Sequence, residues 1–252
     1  LSGDTCLEFS RLELMKILSG GVLCDGWALQ RLNELGFADQ TGFTVRDRKD
    51  RDTTEVFTKD PINGKFAGWH RDCRPSFWPE PGFLLEPTDP KSRTIAEVID
   101  FTPTNHGPTS GVFENKMGGR VAVLGYYPWR MIQSLSKASQ MKSLFQWLSH
   151  DRLPAYVASY HKAGVWCRRD GKGRPALLLV NASIDAVEGM QVAIRDVGPS
   201  MVLTRMDSKT VRLASRRASP PYALFDLPRL APWEAVMIAA GVMILSAGPI
   251  SG

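Results

Sequence analysis

Apolar positions recur at helical spacing in the first part of the chain and in short runs broken by turn residues toward its end. Ser10 to Leu18 carries Leu12, Leu14, Met15, Ile17 and Leu18 between polar positions, which predicts a short helix stopped by Gly20-Gly21. The run Val22-Leu23-Cys24 ends in Asp25, whose carboxylate can accept from free amides at the start of the next helix, Trp27 to Leu35. That helix carries its apolar stripe on Ala28, Leu29, Leu32 and Leu35, and Gly36 suits the left-handed residue that closes a helix. Thr94 to Phe101 alternates as a strand does. Phe113 to Trp129 predicts a β-hairpin with its turn at Lys116-Met117-Gly118-Gly119, because adjacent glycines supply the positive φ of tight turns. The hairpin is expected to feed directly into an amphipathic helix. Its apolar face is Met131, Ile132, Leu135, Ala138, Met141, Leu144, Phe145 and Leu148, with Arg130, Gln133, Lys137 and Gln140 outside it.

Between these elements, Asp47 to Asp60 is crowded with charge, and Pro61 to Pro90 is rich in proline, glycine and aromatics. That composition predicts a large surface excursion with a strand only at Phe83 to Leu85. After Leu153 the character changes. Tyr156–Trp166, Ala176–Val180, Met190–Ile194, Met201–Met206, Thr210–Leu213, Tyr222–Leu227 and Glu234–Ile238 are short apolar segments, with a turn at Asp170–Gly173. Such spacing describes an antiparallel β-sandwich or barrel. The expectation is therefore two domains, α/β over 1–152 and all-β over 153–252.

The chain has 252 residues and 43% hydrophobic content, with seven Trp and eleven Phe, enough to fill a core. Its net charge of +5 is scattered among acids such as Asp47, Asp50 and Asp52, which speaks against a phosphate-tracking surface and so against a nucleic-acid partner. The longest apolar run, Ala235 to Leu245, is too short to span a bilayer, so no membrane partner is expected. Cys6, Cys24, Cys73 and Cys167 form no Cys-x-x-Cys pair, which favours reduced thiols and a cytoplasmic setting. His70 and Cys73 are the nearest approach to a metal pair, and two ligands without a second pair predict no metal. No cofactor is expected, since phosphate-loop and dinucleotide fingerprints are missing. A start at Leu1 rather than Met suggests a processed or trimmed chain.

Candidate chemistry is sparse. The segment from Gly68 to Trp78 mixes Trp69, His70, Arg71 and Trp78, a combination that suits sugar stacking and equally suits a loop anchored by buried tryptophans. Asp25 could face a binding crevice at the end of its strand, or only cap the helix that follows. Glu86, Glu97, Asp100 and Glu114 are the carboxylates a glycosidase could draw on, and nothing in their surroundings selects a pair. Gly-x-Ser-x-Gly is absent, but Ser110 lies in a glycine-flanked stretch close to His106 and Asp100, which leaves a small esterase-like hydrolase as the alternative.

Three phrases carry a resemblance: Leu18 to Leu29, Glu114 to Tyr126, and Leu153-Pro-Ala-Tyr156. They resemble the C-terminal region of bacterial β-galactosidase-like glycoside hydrolases. There a catalytic barrel precedes a glutamine-amidotransferase-like trimerisation domain and a final β-domain. The resemblance implies a partial flavodoxin- or amidotransferase-like α/β domain followed by an antiparallel β-sandwich. It further implies a non-catalytic region that packs against a barrel, self-associates as a homo-oligomer or lines a saccharide cleft; for a bound sugar, the Trp-rich loop offers Trp69, His70, Arg71 and Trp78, joined by Asp25. In that family the catalytic glutamates sit on the barrel, so no residue here inherits a catalytic role, and Cys24 lacks the setting of a glutaminase nucleophile.

Overall fold

Ser10 opens the first helix, α1 (Arg11–Leu18), through a capping box: its amide donates to Glu13 Oε2 at 2.8 Å while its hydroxyl receives the Glu13 amide. The computed structural model describes residues 1–49, 53–74, 82–102, 104–129 and 134–240. They divide into two compact units, Leu1–Asp151 and Arg152–Gly252.

In the first unit α1 is followed by β1 (Gly21–Asp25), α2 (Gly26–Glu34), the single turn α3 (Ala38–Thr41), β2 (Phe43–Lys49), β3 (Thr54–Phe57), β4 (His70–Asp72), β5 (Gly82–Pro87), β6 (Arg93–Ile99), β7 (Asn105–Glu114), β8 (Arg120–Leu124) and α4 (Leu135–Leu148). The main sheet runs β1-β8-β7-β6-β3-β4, and β2 pairs with β5 in a separate ribbon. Successive residues of β8 serve two cores, because side chains alternate across a strand. Val121 and Val123 join Leu14, Leu18, Leu29, Leu32, Phe43 and Leu85 on one face. Ala122 and Leu124 join Met141, Leu144 and Leu148 of α4 on the other. A strand buried on both faces reads as an unbroken apolar run, as Val121 to Leu124 does.

Several expectations change here. Only β1 and β8 are parallel, and the other neighbours in this sheet are antiparallel, so the doubly wound parallel sheet of a flavodoxin-like fold is not formed by the described residues. The charged segment from Asp47 to Asp60 and the Pro-rich segment after it were expected to be irregular, yet they supply the end of β2 and all of β3, β4 and β5, the last covering the strand expected at Phe83 to Leu85. Cross-strand pairing stabilises these segments where their own composition does not. In the hairpin only Gly118 takes a positive φ, at +79°. Gly119 is glycine for another reason, since a Cβ there would collide with the Leu18 carbonyl. The following helix starts at Leu135 behind the cap Ser134, and residues 130–133, where an earlier start was expected, lie outside the described residues.

The second unit contains β9 (Ala155–Val157), β10 (Ala163–Arg169), β11 (Pro175–Asn181), β12 (Gln191–Arg195), β13 (Ser200–Arg205), β14 (Thr210–Ser219), β15 (Tyr222–Asp226) and β16 (Ala235–Ala239). The expected antiparallel strands form, but in one continuous sheet of order β10-β11-β16-β13-β14-β15-β12-β9 rather than two stacked sheets. The cause is β14, whose first half pairs with β13 and whose second half pairs with β15 across a bulge between Ser215 and Arg217. The sheet curls into a near-barrel around Leu177, Leu179, Val192, Ile194, Met201, Leu203, Phe225, Val236 and Ile238. On its outer face Trp166, Leu178 and Met237 are exposed side by side, in register across β10, β11 and β16. No helix among the described residues is long and apolar enough to cross a membrane.

Candidate functional site

The described residues bring one group of ionisable side chains together in the interior, around Glu55. This residue shares a face of β3 with Phe57, and both are buried. Arg71, directly opposite on β4, donates Nε to Glu55 Oε2 at 2.8 Å. Tyr126, just beyond β8, donates its hydroxyl to Glu55 Oε1 at 2.6 Å. Lys137 of α4 donates to the same oxygen at 3.3 Å, to Gln140 Oε1 at 2.6 Å, and to the Tyr126 hydroxyl. Ser110 of β7 donates to Glu55 Oε1 at 3.4 Å. Gln140 passes the network on to Asn63 at 2.8 Å, and Asn63 donates in turn to the carbonyls of Thr58 and Ile95.

Lys137 and Gln140 overturn the sequence expectation, which placed both outside the helix face. Each is 1% exposed, while Leu135, assigned to the packed face, is 56% exposed. Lys137, Met141, Leu144 and Leu148 follow the spacing i, i+4, i+7, i+11, so a stripe beginning on the lysine was present in the sequence. Pattern reading sends charge to water, and Glu55, 82 residues away, with Tyr126 and Gln140, makes the interior tolerable for this one.

The electrostatics follow from burial and pairing. Burial pushes the Glu55 carboxyl up, but Lys137, Arg71 and the Tyr126 hydrogen bond outweigh it and hold the group at about 2. Burial pulls the Lys137 ammonium down to about 8; Glu55 opposes the shift and Arg71 adds to it. The Tyr126 phenol is pushed well above its ordinary value, first by burial and then by Glu55. At neutral pH one carboxylate thus faces two cations. Oε1 accepts from Tyr126, Lys137 and Ser110 and Oε2 from Arg71, which together match the roughly four acceptor positions of a carboxylate. A carboxylate so occupied is suited to holding β3, β4, β7 and α4 in register and badly suited to taking a proton from a substrate.

The residues singled out from sequence are dispersed. Asp25 caps α2 by accepting the Ala28 amide at 2.8 Å, and it also accepts from Ser2 Oγ and the Gly3 amide. Arg71 belongs to the Glu55 cluster. Trp69 is 57% exposed and rests edge-on against Phe66, with ring centres 5.0 Å apart. His70, exposed, follows it on the edge strand β4, and Trp78 lies outside the described residues. Ser110 is fully buried against Glu55, whereas His106 bonds Asp100 through Nε2 at 2.9 Å. Hydrogen bonds from Thr102, then His106, hold that Asp100 carboxyl well below the usual range. Glu97 accepts from Asn105 at 2.8 Å, Glu114 pairs with Arg120 at 3.0 Å, and Glu86 is exposed on β5. Among the described residues no three His, Cys, Asp or Glu side chains gather as a metal would require. Cys73 is buried against Thr53, its thiol raised to about 11 chiefly by burial, and Cys24 is raised to about 12 for the same reason. Neither offers a thiolate at neutral pH.

No protein-family model and no curated protein matches the sequence. Among solved structures, the fold is similar to "Alpha-L-fucosidase isoenzyme 2 from Paenibacillus thiaminolyticus", with a TM-score of 0.60 and 12% identity. The match covers 92% of this chain and 38% of the fucosidase, so the chain spans well under half the length of that enzyme. The likeness shows that the fold of this chain is shared with part of that enzyme.

Proposed function

We propose that this chain is a non-catalytic accessory region of a β-galactosidase-like glycoside hydrolase, one that packs against a catalytic barrel or a second copy of itself and contacts saccharide at an aromatic edge. The observation that carries the reading is the span of the fold match, nearly the whole of this chain against a minor part of a glycosidase. On this reading β1, α2 and β8 are what the chain has of an amidotransferase-like α/β layer.

Two surface features support the separate roles. Trp69 presents a ring to solvent beside His70 on an edge strand, the arrangement in which an indole stacks on the apolar face of a sugar while a neighbouring polar group bonds a hydroxyl. Trp78 is proposed with them from sequence alone. Arg71 and Asp25 are committed elsewhere, to Glu55 and to the start of α2. The exposed row of Trp166, Leu178 and Met237 supports packing against a partner surface, since apolar side chains lined up on an open sheet face mark interaction sites more often than isolated ones do.

Glycan-array binding by the parent chain and by Trp69→Ala, with light scattering at rising concentration, tests the reading. Binding lost in the variant, together with self-association weakened by Leu178→Ser, is the expected result. A parent chain that binds no glycan and stays monomeric at high concentration overturns it.

A further inference from the structure

The second unit holds a basin of about 800 Å³ that the saccharide edge of the first unit does not include. Among the described residues its lining is dominated by arginine, Arg152, Arg168, Arg169, Arg174 and Arg195, against one lining carboxylate, Asp196. Asp196 pairs with Arg195 at 3.1 Å, and Asp170 in the β10–β11 turn pairs with Arg174 at 2.8 Å. Arg168 and Arg169 differ. Arg168 Nη1 donates to the Cys167 carbonyl at 2.9 Å and Arg169 Nη1 to the Gly173 carbonyl at 2.7 Å, both neutral acceptors. Among the described residues no carboxylate forms an ion pair with either. Adjacent cations held this way keep a positive potential that a concave wall concentrates.

We propose that this basin binds an acidic saccharide, with Arg168 and Arg169 gripping its carboxylate or sulfate groups. The inference rests on the proposed saccharide-contacting role and extends it to a charged ligand class. The planar guanidinium fork matches the paired oxygens of a carboxylate or sulfate. The volume lies in the range of small-ligand sites, roughly 300–1,000 Å³, and so suits a few sugar rings. Nucleic acid fits less well, because among the described residues no aromatic side chain lines the basin to stack a base.

Titration calorimetry on the whole chain tests the inference with four probes: an oligogalacturonate tetrasaccharide, a sulfated heparin tetrasaccharide, a neutral galactan tetrasaccharide and a single-stranded oligonucleotide. At least one acidic tetrasaccharide is expected to bind, more weakly as salt rises, and the two acidic arms separate carboxylate from sulfate. Arg168→Ala with Arg169→Ala is expected to weaken that binding roughly ten-fold or more, a loss of about 1.4 kcal/mol or more. Both side chains are exposed, so an unchanged melting temperature verifies the fold, and Arg168→Lys with Arg169→Lys is expected to bind at an intermediate level. The inference is overturned if neither acidic sugar binds, if the alanine variant binds as the parent does, or if the oligonucleotide binds more tightly than both. Neutral-glycan binding reports on Trp69 separately, so failure of the basin and failure of the accessory reading are distinguishable.

Discussion

Glu55 and Arg71 stand directly opposite each other on β3 and β4, joined by a 2.8 Å hydrogen bond, and Lys137 reaches the same carboxylate from a helix 82 residues downstream. A surplus of one cation follows from this geometry, and it makes the three charges unequal in their effect on stability. Glu55→Gln strands two buried cations and is expected to cost roughly 3–5 kcal/mol, the range for breaking a buried pair. Lys137→Met leaves the Glu55–Arg71 pair intact in a similar volume and is expected to cost less. Urea unfolding of both variants checks the order, and a costlier Lys137→Met refutes it.

The same cluster sets an acid limit. The Glu55 carboxyl is lower in the folded chain, at about 2, than in the unfolded one, so its contribution is complete above the unfolded value of roughly 4.3 and is lost as pH falls toward 2. Lys137 is also lowered by folding, to about 8, so between there and the unfolded value of roughly 10.4 its contribution rises with pH. Urea midpoints across both windows are expected to flatten at the acid end in Glu55→Gln and at the alkaline end in Lys137→Met. Profiles parallel to the parent would show that these groups do not shift as described.

The hairpin turn separates two uses of glycine. Gly119→Ala drives a methyl into the Leu18 carbonyl and is expected to cost about 1–3 kcal/mol, as overpacking does. Gly118→Ala, at φ +79° in open space, is expected to cost about 1–2 kcal/mol from the left-handed backbone alone. Gly171, with nothing within 4 Å and no positive φ, is the control and is expected to change little. Thermal melts that rank Gly171→Ala with the other two would contradict this division.

Asp25 offers a sharper local test. Its carboxylate caps α2 and also ties down Ser2 and Gly3, so Asp25→Ala is expected to lose at least the ~1–2 kcal/mol of an N-cap. Asp25→Asn, which keeps one acceptor oxygen, falls between. Hydrogen exchange at the Ala28 amide reads the cap directly, and protection unchanged in the alanine variant would refute it.

What the sequence made legible are elements whose periodicity agrees with their side-chain chemistry. The helices α1 and α2, the β7–β8 hairpin and most strands of the second unit lie close to where the apolar spacing puts them. Tyr156 to Trp166, one predicted segment, divides into β9 and β10. The candidate site was illegible for a physical reason. Glu55, Lys137 and Gln140 are polar residues at interior positions, and each is tolerated only because of partners remote in the chain. Local clues were present, in Glu55 alternating with Phe57 and in Lys137 leading the stripe of Met141, Leu144 and Leu148. The single curled sheet was hidden likewise, since a strand shared between two neighbours differs from two separate strands only in its partners.

Turnover by the purified chain is the decisive assay, run on p-nitrophenyl β-galactoside, p-nitrophenyl α-fucoside and p-nitrophenyl acetate beside Ser110→Ala. A region that only supports, packs and binds is predicted to hydrolyse none of them faster than buffer does. Saturable hydrolysis that disappears in Ser110→Ala, while that variant melts at the parent's temperature, would contradict it.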